Sequence, residues 1–144
     1  MTFAGYGERR HYTYEGKKID EAWHLGMDWA SVKKAKIFTT NAGKVIFKDY
    51  LGIYGDSIII DHKFGLGTLY AHTSRSVVEV NDEVKAGAYI ANTGSSGAVF
   101  GDHLHFGVLV QGIEVNPTEW LSRYWVRENI IKVIDNAKKA IESK

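Results

Sequence analysis

The chain has 144 residues, of which 44% are apolar and 24% charged, and its formal net charge is +1. This balance is typical of one globular domain with a buried core. It gives no strong attraction to nucleic acid, which is therefore not an expected partner. The chain contains no cysteine, so a metal site would have to use histidine and carboxylate ligands.

The first segment that suggests chemistry is HLGMDWA, residues 24–30. His24 and Asp28 would share a face on a helix, and also on an extended segment, where Gly26 lies between them. The alternation of apolar residues and the glycine favour the extended conformation, in which Gly26 leaves space for an ion. Taken alone, the pair is better explained by a capping or salt-bridged aspartate beside an unrelated histidine.

From residue 36 onward, short segments rich in β-branched and aromatic residues alternate with glycine, asparagine and aspartate. KIFTTNAGKVIFKDY predicts two strands joined by a turn at 41–43, and DSIIIDHKFGLGTLYAH predicts two more around a turn at 63–67. A further hairpin is predicted across residues 111–112. Strands this short and evenly spaced predict a β-barrel or a β-sandwich.

The sequence GDHLHF, residues 101–106, places two histidines two positions apart. In an extended strand, His103 and His105 point to one face, while Leu104 and Phe106 point to the core. By itself this pattern slightly favours a solvent-facing strand that carries two histidines by chance.

The two histidine-containing segments become more specific when they are combined. Two histidines and one carboxylate with an open fourth position form the usual catalytic zinc site. His24, Asp28 and one of His103 and His105 would supply the three ligands, and the remaining histidine would lie within reach of a reacting water. His72, at the end of another predicted strand, could stand beside this site.

After Pro117 the pattern changes to apolar residues at steps of three and four, which predicts an amphipathic helix from about Trp125 to Glu142. The helix must bury its apolar stripe, either by packing back onto the β domain or by docking onto a second chain. We therefore divide the chain into a domain over 1–120 and a helical extension over 121–144. The apolar stripe consists of Val126, Ile130, Val133, Ile134, Ala137 and Ile141.

Three motifs in the order H-x-x-x-D, L-Y-A-H and H-L-H-F resemble the M23 family of LytM- or lysostaphin-type zinc metallopeptidases. The resemblance extends from about Gly5 to Trp120. It is greatest for the peptidoglycan DD-endopeptidases that determine cell shape in curved and helical bacteria. It implies a mainly antiparallel β fold of the LytM type, the duplicated hybrid motif, with a sheet or barrel-like form and the active site in a groove.

The resemblance also implies one Zn²⁺ per chain, held by His24, Asp28 and His105. His103 would be the general base, and His72 would be a second imidazole that stabilises negative charge on the substrate. The sequence allows these two histidines to exchange roles. Tyr54, which ordinary packing explains better, is a weaker candidate for the edge of the groove.

For function, the resemblance implies hydrolysis of the D-alanine–diaminopimelate cross-links of bacterial peptidoglycan. Two alternatives stay open: a non-catalytic LytM module that binds and activates another wall hydrolase, and an endopeptidase that cuts glycine bridges. A cell-wall substrate implies that the protein acts in the periplasm. We expect an export or membrane-anchoring segment outside the present sequence, because MTFAGYGERR lacks the apolar region of a signal peptide. The helical extension is expected to contact a paralogous LytM-domain protein or another cell-shape protein, in a homodimer or a heterodimer.

Overall fold

The computed structural model describes residues 2–30 and 32–143. Within these residues the chain forms a series of strands followed by a helical tail. The helices are α1 (Pro117–Leu121), α2 (Arg123–Val126) and α3 (Lys132–Glu142), with a π-helical turn Arg127–Ile131 between α2 and α3. The strands, in chain order, are β1 (Thr2–Ala4), β2 (Arg9–Tyr14), β3 (Lys17–Trp23), β4 (Met27–Ala30), β5 (Lys36–Phe38), β6 (Gly43–Tyr50), β7 (Asp56–Asp61), β8 (Leu66–Ala71), β9 (Thr73–Ser76), β10 (Glu83–Val84), β11 (Tyr89–Thr93), β12 (His103–Val110) and β13 (Ile113–Val115).

The largest sheet has eight antiparallel strands in the order β1-β4-β12-β8-β7-β6-β10, with β13 paired to β12. A three-stranded sheet has the order β5-β11-β9, and β2 and β3 form a separate hairpin. The predicted antiparallel β fold is confirmed. Within the described residues the sheets stay open at β1 and β10, so the fold is the sheet form of the prediction, without a closed barrel.

The core lies between the eight-stranded and the three-stranded sheet. Residues on alternate positions of β12 point into it, as the period of two requires, and Phe106 stacks on Trp29 with ring centroids 5.1 Å apart. His103 and His105 lie on the opposite face of β12, yet both are buried, so the solvent-facing alternative for this strand is wrong. The buried apolar residues are Ile37, Val45, Ile58, Ile60, Tyr70, Val78, Val84, Ile90, Ala91, Leu104, Phe106 and Val108.

The predicted turns have two different outcomes. β7 pairs with β8 and β12 pairs with β13, so these hairpins are confirmed. Gln111 and Gly112 have φ of 53° and 80°, which is the conformation of a two-residue hairpin turn. The strands β5 and β6 also form, but they do not pair with each other: β5 pairs with β11, and β6 pairs with β7 and β10. The segment between them crosses from one sheet to the other.

The helical tail begins at Pro117, directly after Asn116, whose side chain accepts a hydrogen bond from the Thr118 N–H. The amphipathic helix predicted from about Trp125 is confirmed. None of the residues of α3 is buried. In the described part of the chain, no helix is long and apolar enough to cross a membrane.

Candidate metal centre

Two neighbouring strands of the large sheet and the segment before one of them bring His24, Asp28 and His105 together. His105 on β12 is directly opposite Asp28 on β4 in the antiparallel register. His24 lies between β3 and β4, held by backbone hydrogen bonds to Gly7 and Glu8 of 2.7 and 2.8 Å. The 24–28 segment is not helical: the chain bends at Gly26, and Asp28 belongs to β4.

Gly26 is required by the close approach of this segment to β12. A Cβ atom at this position would lie 2.5 Å from His105 Nε2 and 2.6 Å from the Phe106 carbonyl oxygen. The backbone oxygen cannot move aside without disturbing the sheet. Because Gly26 has no side chain, the segment between His24 and Asp28 can lie close against β12 without displacing His105 or the backbone at Phe106.

The three side chains direct one atom each to a common point. His24 Nε2, Asp28 Oδ1 and His105 Nδ1 lie 3.0 Å from one another. His24 Nδ1 donates to the Gly5 carbonyl oxygen at 2.6 Å, so in the neutral ring Nε2 carries a lone pair that faces the carboxylate. Two acceptors face each other there, and a cation between them removes the conflict. Two imidazole nitrogens and a carboxylate oxygen are ligands that suit zinc.

Burial and charge favour the ligand forms of these groups. His24, Asp28 and His105 are 4%, 1% and 2% exposed. Burial tends to raise the pKa of Asp28, but hydrogen bonds from the surrounding histidines and from Arg10 outweigh it and hold that pKa well below its usual range. Burial lowers the pKa of His105. An ionised carboxylate and neutral imidazoles are the states that bind a metal.

His72 and His103 flank the three candidate ligands, with their ring centroids 4.9 Å apart. Each donates from Nδ1 to a backbone carbonyl, His72 to Ser96 at 2.9 Å and His103 to Gly101 at 3.1 Å. Burial lowers the pKa of His72 to about 4. The neighbouring Asp28 carboxylate raises the pKa of His103.

Tyr54 borders the cleft at this site, together with His24, His72 and His105. Its ring lies 5.0 Å from that of His105, and its hydroxyl donates to the Glu114 carboxylate at 2.8 Å. Burial and the Glu114 charge raise the pKa of Tyr54, and burial raises the pKa of Glu114. All six residues singled out by the sequence therefore lie in one region.

Sequence reasoning missed two polar residues of this region. Arg10 on β2 donates to Asp28 Oδ2 at 2.5 Å, and Glu114 on β13 is the acceptor for Tyr54. Arg10 lies within GYGERR, near the start of the range that resembles the family, and none of the three motifs includes it. Neither residue forms a recognisable spacing with its partner, because the contacts join distant parts of the chain.

Residues 22–117 match peptidase family M23. Because this match covers more than half of the sequence, the chain belongs to peptidase family M23. The fold and the histidine–aspartate cluster described above lie largely inside the matched range.

Relatives within the family are named for different functions. The DD-carboxypeptidase/endopeptidase Mpg of Neisseria meningitidis serogroup B is 33% identical over 108 residues, which are 74% of this chain and 25% of that protein. The murein hydrolase activator EnvC of Escherichia coli K12 is 40% identical over 81 residues, which are 56% of this chain and 19% of that protein. The chain thus spans about a quarter or less of the length of these relatives.

Among solved structures, a zinc containing peptidase from Vibrio cholerae superposes with a TM-score of 0.69 and 31% sequence identity. The superposition covers 81% of this chain and 35% of that one. A zinc peptidase is therefore among the structures that share both fold and sequence with this chain.

Proposed function

We propose that this chain is a zinc-dependent peptidoglycan endopeptidase that hydrolyses D-alanine–diaminopimelate cross-links. One observation carries the proposal: three buried ligand atoms of His24, Asp28 and His105 lie 3.0 Å apart, beside two further histidines. Membership of the M23 family and the similarity to a zinc containing peptidase support it.

His24, Asp28 and His105 would hold the metal. Zinc bound by such ligands supplies Lewis acidity toward a carbonyl oxygen and lowers the pKa of water to about 7. His72 and His103 present Nε2 to the same region, because Nδ1 of each ring is bonded to the backbone. A neutral imidazole accepts a proton at Nε2 and a protonated one donates it, so the two rings can serve the attacking water, the carbonyl oxygen and the leaving amine.

Two open clefts border the candidate metal site, so a peptide can reach it. One cleft extends toward Trp23 and Ile53, and a second extends toward Phe100. Arg10 and Tyr12 of the β2–β3 hairpin border both clefts. An extended peptide lying across the site would contact both sides of the metal-binding residues.

The cellular role follows from this substrate. We place the activity in the periplasm, where peptidoglycan cross-links are accessible, and assign it to the determination of cell shape. The exposed part of the apolar stripe, Val133, Ile134, Ala137 and Ile141, is proposed to contact a second copy of the chain or a paralogous LytM-domain protein.

A second candidate is a non-catalytic module that activates another cell-wall hydrolase, as the name murein hydrolase activator indicates for EnvC. A third is cleavage of glycine bridges. The complete set of candidate ligands, with both flanking histidines, favours an enzyme over an activator, because an activator needs no metal-binding group.

Purified protein and purified sacculi provide the test. We expect one zinc per chain and the conversion of cross-linked muropeptide dimers into monomers, identified by mass. His105→Ala should abolish both, whereas Tyr124→Ala, at an exposed residue away from both clefts, serves as the control and should change neither. Zinc-free protein that stays inactive after zinc addition would support the activator, and cleavage of glycine bridges alone would support the third candidate.

A further inference from the structure

The carboxylate of Asp28 uses its two oxygens for different partners. Oδ1 faces His24 Nε2 and His105 Nδ1 at 3.0 Å. Oδ2 accepts a hydrogen bond from Arg10 Nη2 at 2.5 Å and lies 3.6 Å from His103 Nε2. One oxygen therefore belongs to the candidate metal site, and the other is directed to a guanidinium on a different sheet.

The contact between Arg10 and Asp28 is largely shielded from water. The Asp28 side chain is 2% exposed and that of Arg10 is 32% exposed. An ion pair in which one partner is buried keeps much more of its strength than a surface pair, and a charge-assisted hydrogen bond fixes direction as well as distance. The orientation of the carboxylate is thus set from the side opposite the metal-binding atoms.

The neighbouring Arg9 provides an internal comparison. It lies on the other face of the β2–β3 hairpin and pairs with Glu21 on β3, with its side chain 53% exposed. Two adjacent arginines on one strand therefore have different environments: one supports the hairpin alone, and the other reaches the candidate metal site.

We propose that Arg10 is a positioning residue that keeps Asp28 Oδ2 away from the metal, so that the aspartate offers a single ligand atom. A carboxylate can bind a metal through one or both oxygens. A second bound oxygen would occupy the position that a catalytic zinc site keeps open for water or substrate. The proposal rests on the zinc site put forward above, and it concerns a residue that touches a ligand without being one.

The same contact links the hairpin to the site. The strands β2 and β3 belong to neither of the larger sheets, yet Arg10 and Tyr12 border both clefts. Because Arg10 joins this wall to Asp28, loosening the ion pair should also loosen the hairpin. The hairpin is expected to loosen even in protein that has neither metal nor substrate bound.

Three variants test the proposal: Arg10→Gln, Arg10→Lys and the matched control Arg9→Gln. Arg10→Gln should still bind one metal per chain, because Arg10 is not a ligand. Its kcat should fall roughly 10–100-fold, which is the size of effect typical of residues that orient metal ligands. Arg10→Lys should recover part of the loss, since lysine keeps the charge but not the fixed geometry of the guanidinium.

The visible absorption spectrum of cobalt-substituted protein depends on the number of ligand atoms. It would not change if Arg10 had only a structural role. If Asp28 binds through both oxygens in Arg10→Gln, the coordination number rises and the visible cobalt absorption weakens. Arg9→Gln should keep the wild-type spectrum. A wild-type spectrum and wild-type kcat in Arg10→Gln would overturn the proposal.

Failure of the zinc site itself is recognised separately. Wild-type protein that binds neither zinc nor cobalt would refute the proposed function. In that case, hydrogen exchange of the hairpin amides in metal-free protein still tests the Arg10–Asp28 restraint. Faster exchange in Arg10→Gln and in Asp28→Asn than in the wild type supports the restraint, and wild-type exchange in both variants excludes it.

Discussion

The carbonyl oxygen of Gly5 accepts a hydrogen bond from His24 Nδ1 at 2.6 Å, and this contact decides which nitrogen of His24 is available to a metal. A proton on Nδ1 leaves Nε2 with a lone pair in the neutral ring. The hydrogen bond also fixes the ring orientation, as partners of metal-binding histidines usually do. The backbone at Gly5 therefore prepares His24 to bind through Nε2, 3.0 Å from the Asp28 carboxylate.

Variants of the two histidines on β12 should separate metal binding from catalysis. His105→Ala removes a ligand atom and should lose zinc and hydrolysis together. His103→Ala leaves all three proposed ligands in place, so it should keep zinc while losing most of its activity, by roughly 100-fold or more. Metal analysis after dialysis checks both variants. Loss of zinc from His103→Ala together with retention in His105→Ala would reverse our assignment.

Gly26→Ala should weaken metal binding without changing any ligand. The new methyl group would lie 2.5 Å from His105 Nε2, so either the ring or the backbone must move. We expect zinc affinity to fall at least tenfold and stability to fall by about 1–3 kcal/mol, the usual range for overpacking. Gly67→Ala is the matched control, because its nearest neighbour would be 3.3 Å away. Equal zinc affinity in the two variants would contradict the steric argument.

Tyr54→Phe should destabilise the protein through Glu114. The variant removes the hydroxyl that donates to the half-buried carboxylate at 2.8 and 3.0 Å. We expect a loss of about 1–3 kcal/mol, the cost of leaving a buried acceptor unpaired, measured by urea unfolding of metal-free protein. Adding Glu114→Gln should recover part of it. Tyr124→Phe, at a highly exposed tyrosine, should have no effect, and an equally small effect of Tyr54→Phe would contradict the proposed pair.

The buried His72 should make stability depend on pH. Its pKa is lowered to about 4 in the folded protein, chiefly by burial, whereas an unfolded histidine titrates near 6.5. Between these values the unfolded chain binds more protons, so this contribution is complete above pH 6.5 and is lost as pH falls toward 4. Its size is on the order of 3 kcal/mol.

Urea unfolding of metal-free protein from pH 7 to pH 4 measures this contribution. His72→Gln should show a smaller loss of stability over that interval than the wild type. His11→Gln, at an exposed histidine, should follow the wild type. Parallel curves for His72→Gln and the wild type would mean that His72 titrates normally.

The features that sequence could predict depend on local periodicity. The period of two on β12 correctly placed His103 and His105 on one face and Phe106 in the core. The apolar spacing after Trp125 correctly predicted the helix. In both cases the pattern repeats within a single element, so no knowledge of the rest of the fold is needed.

The missed features depend on contacts between distant segments. The chain bends at 40–41, close to the predicted turn, but local chemistry does not reveal that β5 and β6 enter different sheets. Arg10 is 18 residues from Asp28 and Tyr54 is 60 residues from Glu114, and each pair crosses between separate elements. Only the packing of the hairpin over the site and of β13 beside β12 brings these polar groups together.

Removal of the helical tail should affect association rather than the metal site. No residue of α3 is buried, and Val133, Ile134 and Ile141 are 58%, 48% and 74% exposed. An isolated amphipathic helix of this length is marginal in water, so its apolar stripe is expected to gain stability from a partner. Truncation after Ser122 should therefore leave zinc content unchanged and weaken association. Sedimentation of the purified chain, alone and mixed with a purified paralogous LytM-domain protein, measures that association.

Two point variants in the helix serve as further tests. Ile134→Glu on the apolar stripe should weaken association as the truncation does, and Asn136→Glu on the polar side should not. A large drop in melting temperature with unchanged association would instead assign the helix to the core of the domain.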